Sequence, residues 1–505
     1  MNRFTLQSKK NISRGATALL VFLLFALFAF SFYAELIPVN DGAGFDGAFY
    51  REVFRNFSTD FFTSGYDSFR IQRIFPFCLL NVVYGLAGIP LDNAHMIAGM
   101  YVLHFVNLAL QLLFFFKLAK LQGWNPVTKV ILFALFFFNF ATLKNCGYVP
   151  FQTDAFAVTI ALASYYMFLR GKSAIALAMS LLGLVTWPTL TYVMALLILF
   201  PQRTDKTAFE PSYTGFSGTI RAKFFRLLPF AYVIPAIGMI SLSYTLHKLT
   251  TLHNLLLADH SLAHITLSLI AFVALGWFIA AHQKVPGLPY SAKDFSRSFS
   301  PRAFIAVSLC IATITLFLRL HTNDVFFFDC KTFLLQVFAR PLKYPLITFV
   351  GHFVYWGLLP VLLIIFAKDF VKNFTEKSPG HALALLFFLF LSIDSESRHI
   401  APFLPILLVF LGSALDKANL APKAAIFTVV TQLVLSHFYI TINVDGFAES
   451  LEQGNFFSPV AQRFFMNYGP WMTGISYFYW IAINFVTIIG ANEVFRHAKR
   501  PQSDL

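Results

Sequence analysis

Charge is scarce in this sequence: 12% of its 505 residues are Asp, Glu, Lys or Arg, against 57% hydrophobic and 18% aromatic. A water-soluble chain of that composition would need a core larger than one domain supports, so lipid is its main solvent. Cysteine is scarce too. Cys78, Cys146, Cys310 and Cys330 are too few and too scattered for a disulfide framework or a metal-ligand cluster. Cys146 and Cys330 could pair outside a membrane; packing is the plainer role. Acids are fewer than bases, 24 against 38, giving a net charge of +14 that invites a nucleic-acid partner until its distribution is considered. A repeat of one half of the chain in the other is also missing, which counts against a transporter built on inverted repeats.

Apolar runs are what the chain has in plenty, from residue 15 to residue 491, and many approach the roughly 20 residues a helix needs to cross a bilayer. Splitting them at charged or Pro/Gly-containing breaks places spans near 15–33, 95–116, 130–141, 151–169, 173–186, 188–200, 227–246, 263–282, 303–318, 344–367, 380–393, 400–414, 424–442 and 471–491. This predicts an all-α polytopic transmembrane fold, a single integral membrane domain over 1–505 with about 11–14 crossings. The first run follows Arg3, Lys9, Lys10 and Arg14 and is followed by no small-x-small cleavage site, so it reads as a retained signal anchor. The 173–200 stretch reads as two crossings, because one helix kinked at Trp187-Pro188 would strand Arg203, Lys206, Arg221, Lys223 and Arg226 on the outer side.

With this threading, alternate loops from the N-terminus carry 26 of the 38 Lys and Arg, so both termini are expected in the cytoplasm. Attraction to anionic headgroups then accounts for the basic charge, and no nucleic acid is needed. The acids gather on the opposite side, 16 of 24. Residues 34–94 form the longest outer loop, within which 74–89 suits an interfacial or re-entrant helix, and 443–470 forms a second.

The first outer loop opens with Asn40-Asp41-Gly42-Ala43-Gly44-Phe45-Asp46-Gly47, whose glycines favour a turn that presents a carboxylate just beyond the membrane. It continues to Arg70-Ile71-Gln72-Arg73, where two guanidiniums three apart share a face if helical and could hold a phosphate. An Asp-Gly turn with snorkelling bases is the plain alternative. Gln152 and Asp154 begin another span, where the helix dipole alone favours a carboxylate. Asp394-Ser395-Glu396-Ser397-Arg398-His399 packs ionisable groups between apolar walls more densely than a turn requires. Residues 319–343 hold His321, Asp324, Asp329, Lys331, Arg340 and Lys343, which could simply pair at the surface. His253, His260 and His264 are better read as interfacial than as metal ligands. Asp46 with Asp154 or Glu396 could hold a divalent cation if the fold joins them, though no spacing demands a cofactor.

A carboxylate on a turn, several arginines and apolar helices beside them suit a lipid-linked phosphate entering from the bilayer. Asp46 would act as general base on an acceptor hydroxyl while arginines stabilise the departing phosphate, and direct displacement inverts the anomeric carbon. A flippase for lipid-linked glycans would use the same residues, and a glycan polymerase or ligase shares the many crossings.

These residues resemble a known pattern. GFDGAFY followed by YDSFRIQRIFPFCL is similar to the GYDGQFY and YRxQRxxYP signatures of bacterial membrane proteins in the GT-C glycosyltransferase superfamily. PFQTDAFAVTIALASYYMFLRGK with LLGLVTWPTL, and DSESRHIAPFLPILLVF, resemble later parts of that family. The resemblance implies a GT-C-like helical bundle in a bacterial cytoplasmic membrane, a polyprenyl-phosphate-sugar donor, and a glycan, lipid or protein acceptor on the outer face. It leaves Asp46 or Asp41 as the catalytic base, and the residue reading sets Arg70, Gln72, Arg73, Asp154, Arg340, Glu396, Arg398 and His399 as the candidates around the donor. Two positions depart from it. Trp187 stands where relatives commonly carry a base, and Asp46 lies between glycines where many members show two adjacent acids.

Overall fold

The computed structural model describes residues 3–201, 215–246, 262–323, 330–442 and 472–498. The outer stretch 443–470, with His253, His260, Asp324 and Asp329, lies outside the described residues, as does the Lys331 side chain. Every regular element among them is helical. Six helices are long and apolar enough to cross a membrane, or up to eight if each of two bent pairs is one span, and six shorter apolar helices accompany them. The protein is an all-α polytopic membrane protein.

Helix boundaries follow from local chemistry. Asn125-Pro126, Ser300-Pro301 and Ser378-Pro379 each place a capping side chain before a proline at the first helical position, and each cap accepts a backbone N–H from the following turn. Asp92 caps the helix Asn93–Gln122 in the same way, and Gly123 ends it in the left-handed conformation.

One expected span is not straight. Residues 344–367 form two helices, Ile347–Trp356 and Leu359–Ile365, bent by 117°. The hydrophobic run hides Gly357, whose φ of 63° turns the chain back. Such a break frees backbone groups that lipid cannot satisfy. The fully buried Gln432 side chain meets the need, its Oε1 accepting from Leu358 N at 2.8 Å.

The first outer loop is itself a folded layer. We label the first helix α1 (Arg3–Ala34), and the loop helices α2 (Phe45–Thr63) and α3 (Phe75–Ala87). Tyr50, Val53, Phe54, Phe77 and Tyr84 bury one face of the α2–α3 pair, with Tyr50 stacked on Phe77 at 4.7 Å. Asn81 donates to the Phe54 and Arg55 carbonyls and so clamps α3 to α2. At the far end Tyr66 exchanges backbone bonds with His321 and Asn323, and Phe61 stacks on the His321 ring at 4.3 Å. His321 therefore serves as a docking point for this layer.

Candidate active site

Gly44 sets the first element of the site. Its φ of 80° and ψ of −166° belong to a region open essentially to glycine, and a Cβ there would lie 2.9 Å from Val149 Cγ1. The chain leaves this residue directly into α2, so Asp46 sits in a first helical turn, favoured by the dipole, rather than on the free turn expected from its flanking glycines. The turn expectation fails because the buried face of α2 begins at once, with Gly47 seated against Phe151. Asp46 keeps 39% of its side-chain surface exposed.

Two guanidiniums flank it. Arg70 lies 3.9 Å from Asp46 on one side, and Arg398 lies 3.8 Å away on the other. Arg70 is oriented by Asp67, which accepts from its backbone N–H at 2.8 Å and pairs with its guanidinium at 3.7 Å. Beyond Arg398 the charges continue to alternate. Arg398 bonds Glu396 at 2.5 Å, and Arg340 bonds Glu396 at 2.7 Å and Asp394 at 3.0 Å. Asp394 in turn lies 2.9 Å from His399 Nδ1. Burial alone would raise the Glu396 carboxyl, but the charges of Arg398, His399 and Arg340 overcome it and hold that group well below the usual carboxylate range.

Arg73 ends the four-residue 3-10 helix that begins at Arg70, but it turns elsewhere. Its guanidinium lies 4.3 Å from the centre of the Trp187 ring and 4.7 Å from that of Phe69, and the Tyr50 hydroxyl is its hydrogen-bond partner. Asp154 is buried in the first turn of its helix, where Tyr355 donates to Oδ2 at 3.2 Å while Oδ1 has no hydrogen-bond partner. Arg398 and Arg73 both act on it electrostatically. It also faces a cavity of about 40 Å³ whose mostly apolar lining includes Asn107, Gln111, Asn145 and Gln152.

Asp46, Arg70, Arg73, Asp154, Arg340, Glu396, Arg398 and His399 thus belong to one connected network. Asp41 and Gln72 do not. Asp41 adopts a positive φ of 50°, its carbonyl accepts from Asn93, and its carboxylate makes no ion pair among the described residues. Gln72 donates to the Ser68 carbonyl and braces its own turn. Lys343 lies against the Tyr344 ring.

Asp67, Tyr50, Tyr355 and Trp187 were not legible as site residues. An aromatic ring inside an apolar run carries no distinguishing spacing. A second buried ion pair also went unsignalled: Lys144 bonds Glu35 at 2.5 Å and the Ile440 carbonyl at 2.8 Å, tying the end of α1 to the chain before residue 443. Lys144 occupies a π-helical turn, Ala141–Asn145, that interrupts one of the bent spans.

Asp394, Glu396 and His399 offer ligand atoms within 4.8 Å of one another, the one such group found among the described residues. It includes Glu396 but neither Asp46 nor Asp154. A divalent ion at this group would compete with Arg340 and Arg398 for the same carboxylates. Cys146 is a free thiol, and the Cys330 side chain lies outside the described residues.

An apolar cavity of about 450 Å³ approaches this network from inside the helical region. Its walls include Phe225, Tyr232, Phe272, Phe338 and Phe388, and it reaches Ile393, the residue before Asp394. The helices Gly215–Leu246 and Leu262–His282 form one wall, and they carry exposed Leu227, Ile234, Ile270 and Trp277. No protein-family model, curated protein or solved structure matches this chain.

Proposed function

We propose that the protein is a membrane glycosyltransferase of the GT-C type. It moves a sugar from a polyprenyl-phosphate donor to an acceptor on the non-cytoplasmic face of a bacterial cytoplasmic membrane. The observation that carries this reading is the half-exposed Asp46 held between Arg70 and Arg398. An anionic phosphate that takes either guanidinium releases the carboxylate. Asp46 then accepts the proton of the acceptor hydroxyl, that oxygen bonds to the anomeric carbon, and the carbon–oxygen bond to phosphate breaks with its electron pair leaving on the polyprenyl phosphate. The configuration inverts. The apolar cavity supports the same reading, because it would receive the isoprenoid chain and it reaches Ile393, at the edge of the charged network.

A flippase of lipid-linked glycans is the competing reading, favoured by the polar side chains Asn107, Gln111, Asn145 and Gln152 that share a cavity with Asp154. Reconstituting the protein in vesicles with a polyprenyl-phosphate-sugar donor separates the two. Release of polyprenyl phosphate with transfer of the sugar supports the proposal; translocation of intact donor without cleavage overturns it.

A further inference from the structure

Three of the four arginines around Asp46 already hold carboxylates: Arg70 has Asp46 and Asp67, Arg340 has Asp394 and Glu396, and Arg398 has Asp46 and Glu396. Arg73 makes no ion pair among the described residues. A half-buried guanidinium with no carboxylate in salt-bridge contact is costly, and the two aromatic faces beside it, with the longer-range charge of Asp154, offset only part of that cost.

We propose that Arg73 is the phosphate-receiving subsite and that Trp187 is its positioning residue. The proposal rests on the glycosyl-transfer reading above and assigns the donor phosphate to one arginine within it. Trp187 is suited to the task. Its backbone is extended before Pro188, with the backbone N–H donating to the Gly183 carbonyl at 2.6 Å, and the side chain is packed so that the residue is 2% exposed, which leaves the indole little freedom. Phe69 covers Arg73 with a second ring, and Tyr50 takes one of its N–H groups. The rings in direct contact with the guanidinium therefore carry no negative charge. Its remaining donors are left for a phosphate, which a planar fork binds through two parallel hydrogen bonds. Arg73, Arg398 and Asp46 all act electrostatically on Tyr50, which places the subsite beside the proposed base.

Trp187 also lies 6.2 Å from the His399 ring, so a single side chain borders both the unpaired arginine and the end of the paired network. A leucine there would fill much of the space but give Arg73 no π face. Arg73 could then swing to a carboxylate and be lost to the ligand.

The test is equilibrium binding by the purified full-length protein, with a long-chain polyprenyl monophosphate as probe and the matching polyprenol as control. Wild type is expected to prefer the monophosphate. Trp187→Leu should weaken its binding by about 10-fold or more, Trp187→Phe by about 3-fold or less, and neither should alter polyprenol binding. If wild type does not prefer the monophosphate, the underlying glycosyl-transfer reading fails. If it does and Trp187→Leu binds as wild type does, the role of Trp187 is overturned. Should Trp187→Leu not fold, Arg73→Lys decides: it keeps the charge and loses the fork, and unchanged affinity there overturns the subsite.

Discussion

Arg398 lies 3.8 Å from Asp46, joining a turn late in the chain to the first helix of the first outer loop. Arg398 also bonds Glu396, so the exposed carboxylate and the buried acidic turn share one guanidinium. The loop layer docks through α2, α3 and the His321 contact, and the turn is held by Arg340 and by Trp356 Nε1, which donates to the Ser397 carbonyl. The charge network is thus a property of the tertiary fold and gives separate handles on stability and on function.

Arg340 is the handle on stability. Asp394 is 1% exposed, and Arg340 bonds both it and Glu396. Arg340→Met leaves a carboxylate buried without that partner, so stability should fall by about 3–5 kcal/mol. Thermal unfolding in detergent measures it. A loss below about 1 kcal/mol would mean that His399 and Arg398 suffice.

Glu396 gives the network a pH signature. Its folded carboxyl titrates well below its ordinary value of 4.5, so its contribution is present in full above that value and is lost as pH falls from there towards the folded value. Glu396→Gln should therefore be less stable than wild type at neutral pH, with the gap narrowing below about pH 4.5. Unfolding midpoints across acid pH check this. A gap independent of pH contradicts it.

Gly44 tests the geometry that delivers Asp46. Gly44→Ala adds a Cβ 2.9 Å from Val149 Cγ1 at a backbone conformation that non-glycine residues avoid. A stability loss of about 1–3 kcal/mol is expected. On the proposed function, sugar transfer should fall further than folding does, because the start of α2 must shift. Ala substitution at Gly85, where a Cβ meets nothing within 4 Å, is the control and should be near neutral.

Much of the fold was legible, and for a physical reason. Lipid demands long apolar runs, and caps such as Asn125-Pro126 mark where helices start. The 117° bend at Gly357 was not, because the groups it frees are met by Gln432, far along the chain and buried in an apolar stretch. In the site, the charged members stood out because ionisable residues are rare in such a sequence. Asp41 and Gln72 lie beside the site in sequence but not in the network: the Asp41 carbonyl accepts from Asn93, at the start of a helix, and Gln72 braces its own turn. Trp187 was noticed as lacking a charge, and only its distance to Arg73 shows what an uncharged ring does there.

The central claim is that Asp46 takes the acceptor's proton, and Asp46→Asn tests it most directly. The substitution keeps the shape of the side chain and removes the proton acceptor, in a residue with 39% of its side chain exposed. Sugar transfer from a polyprenyl-phosphate donor by the reconstituted variant should drop by about 100-fold or more, with unfolding temperature and donor binding little changed. Full transfer activity by Asp46→Asn would contradict the account.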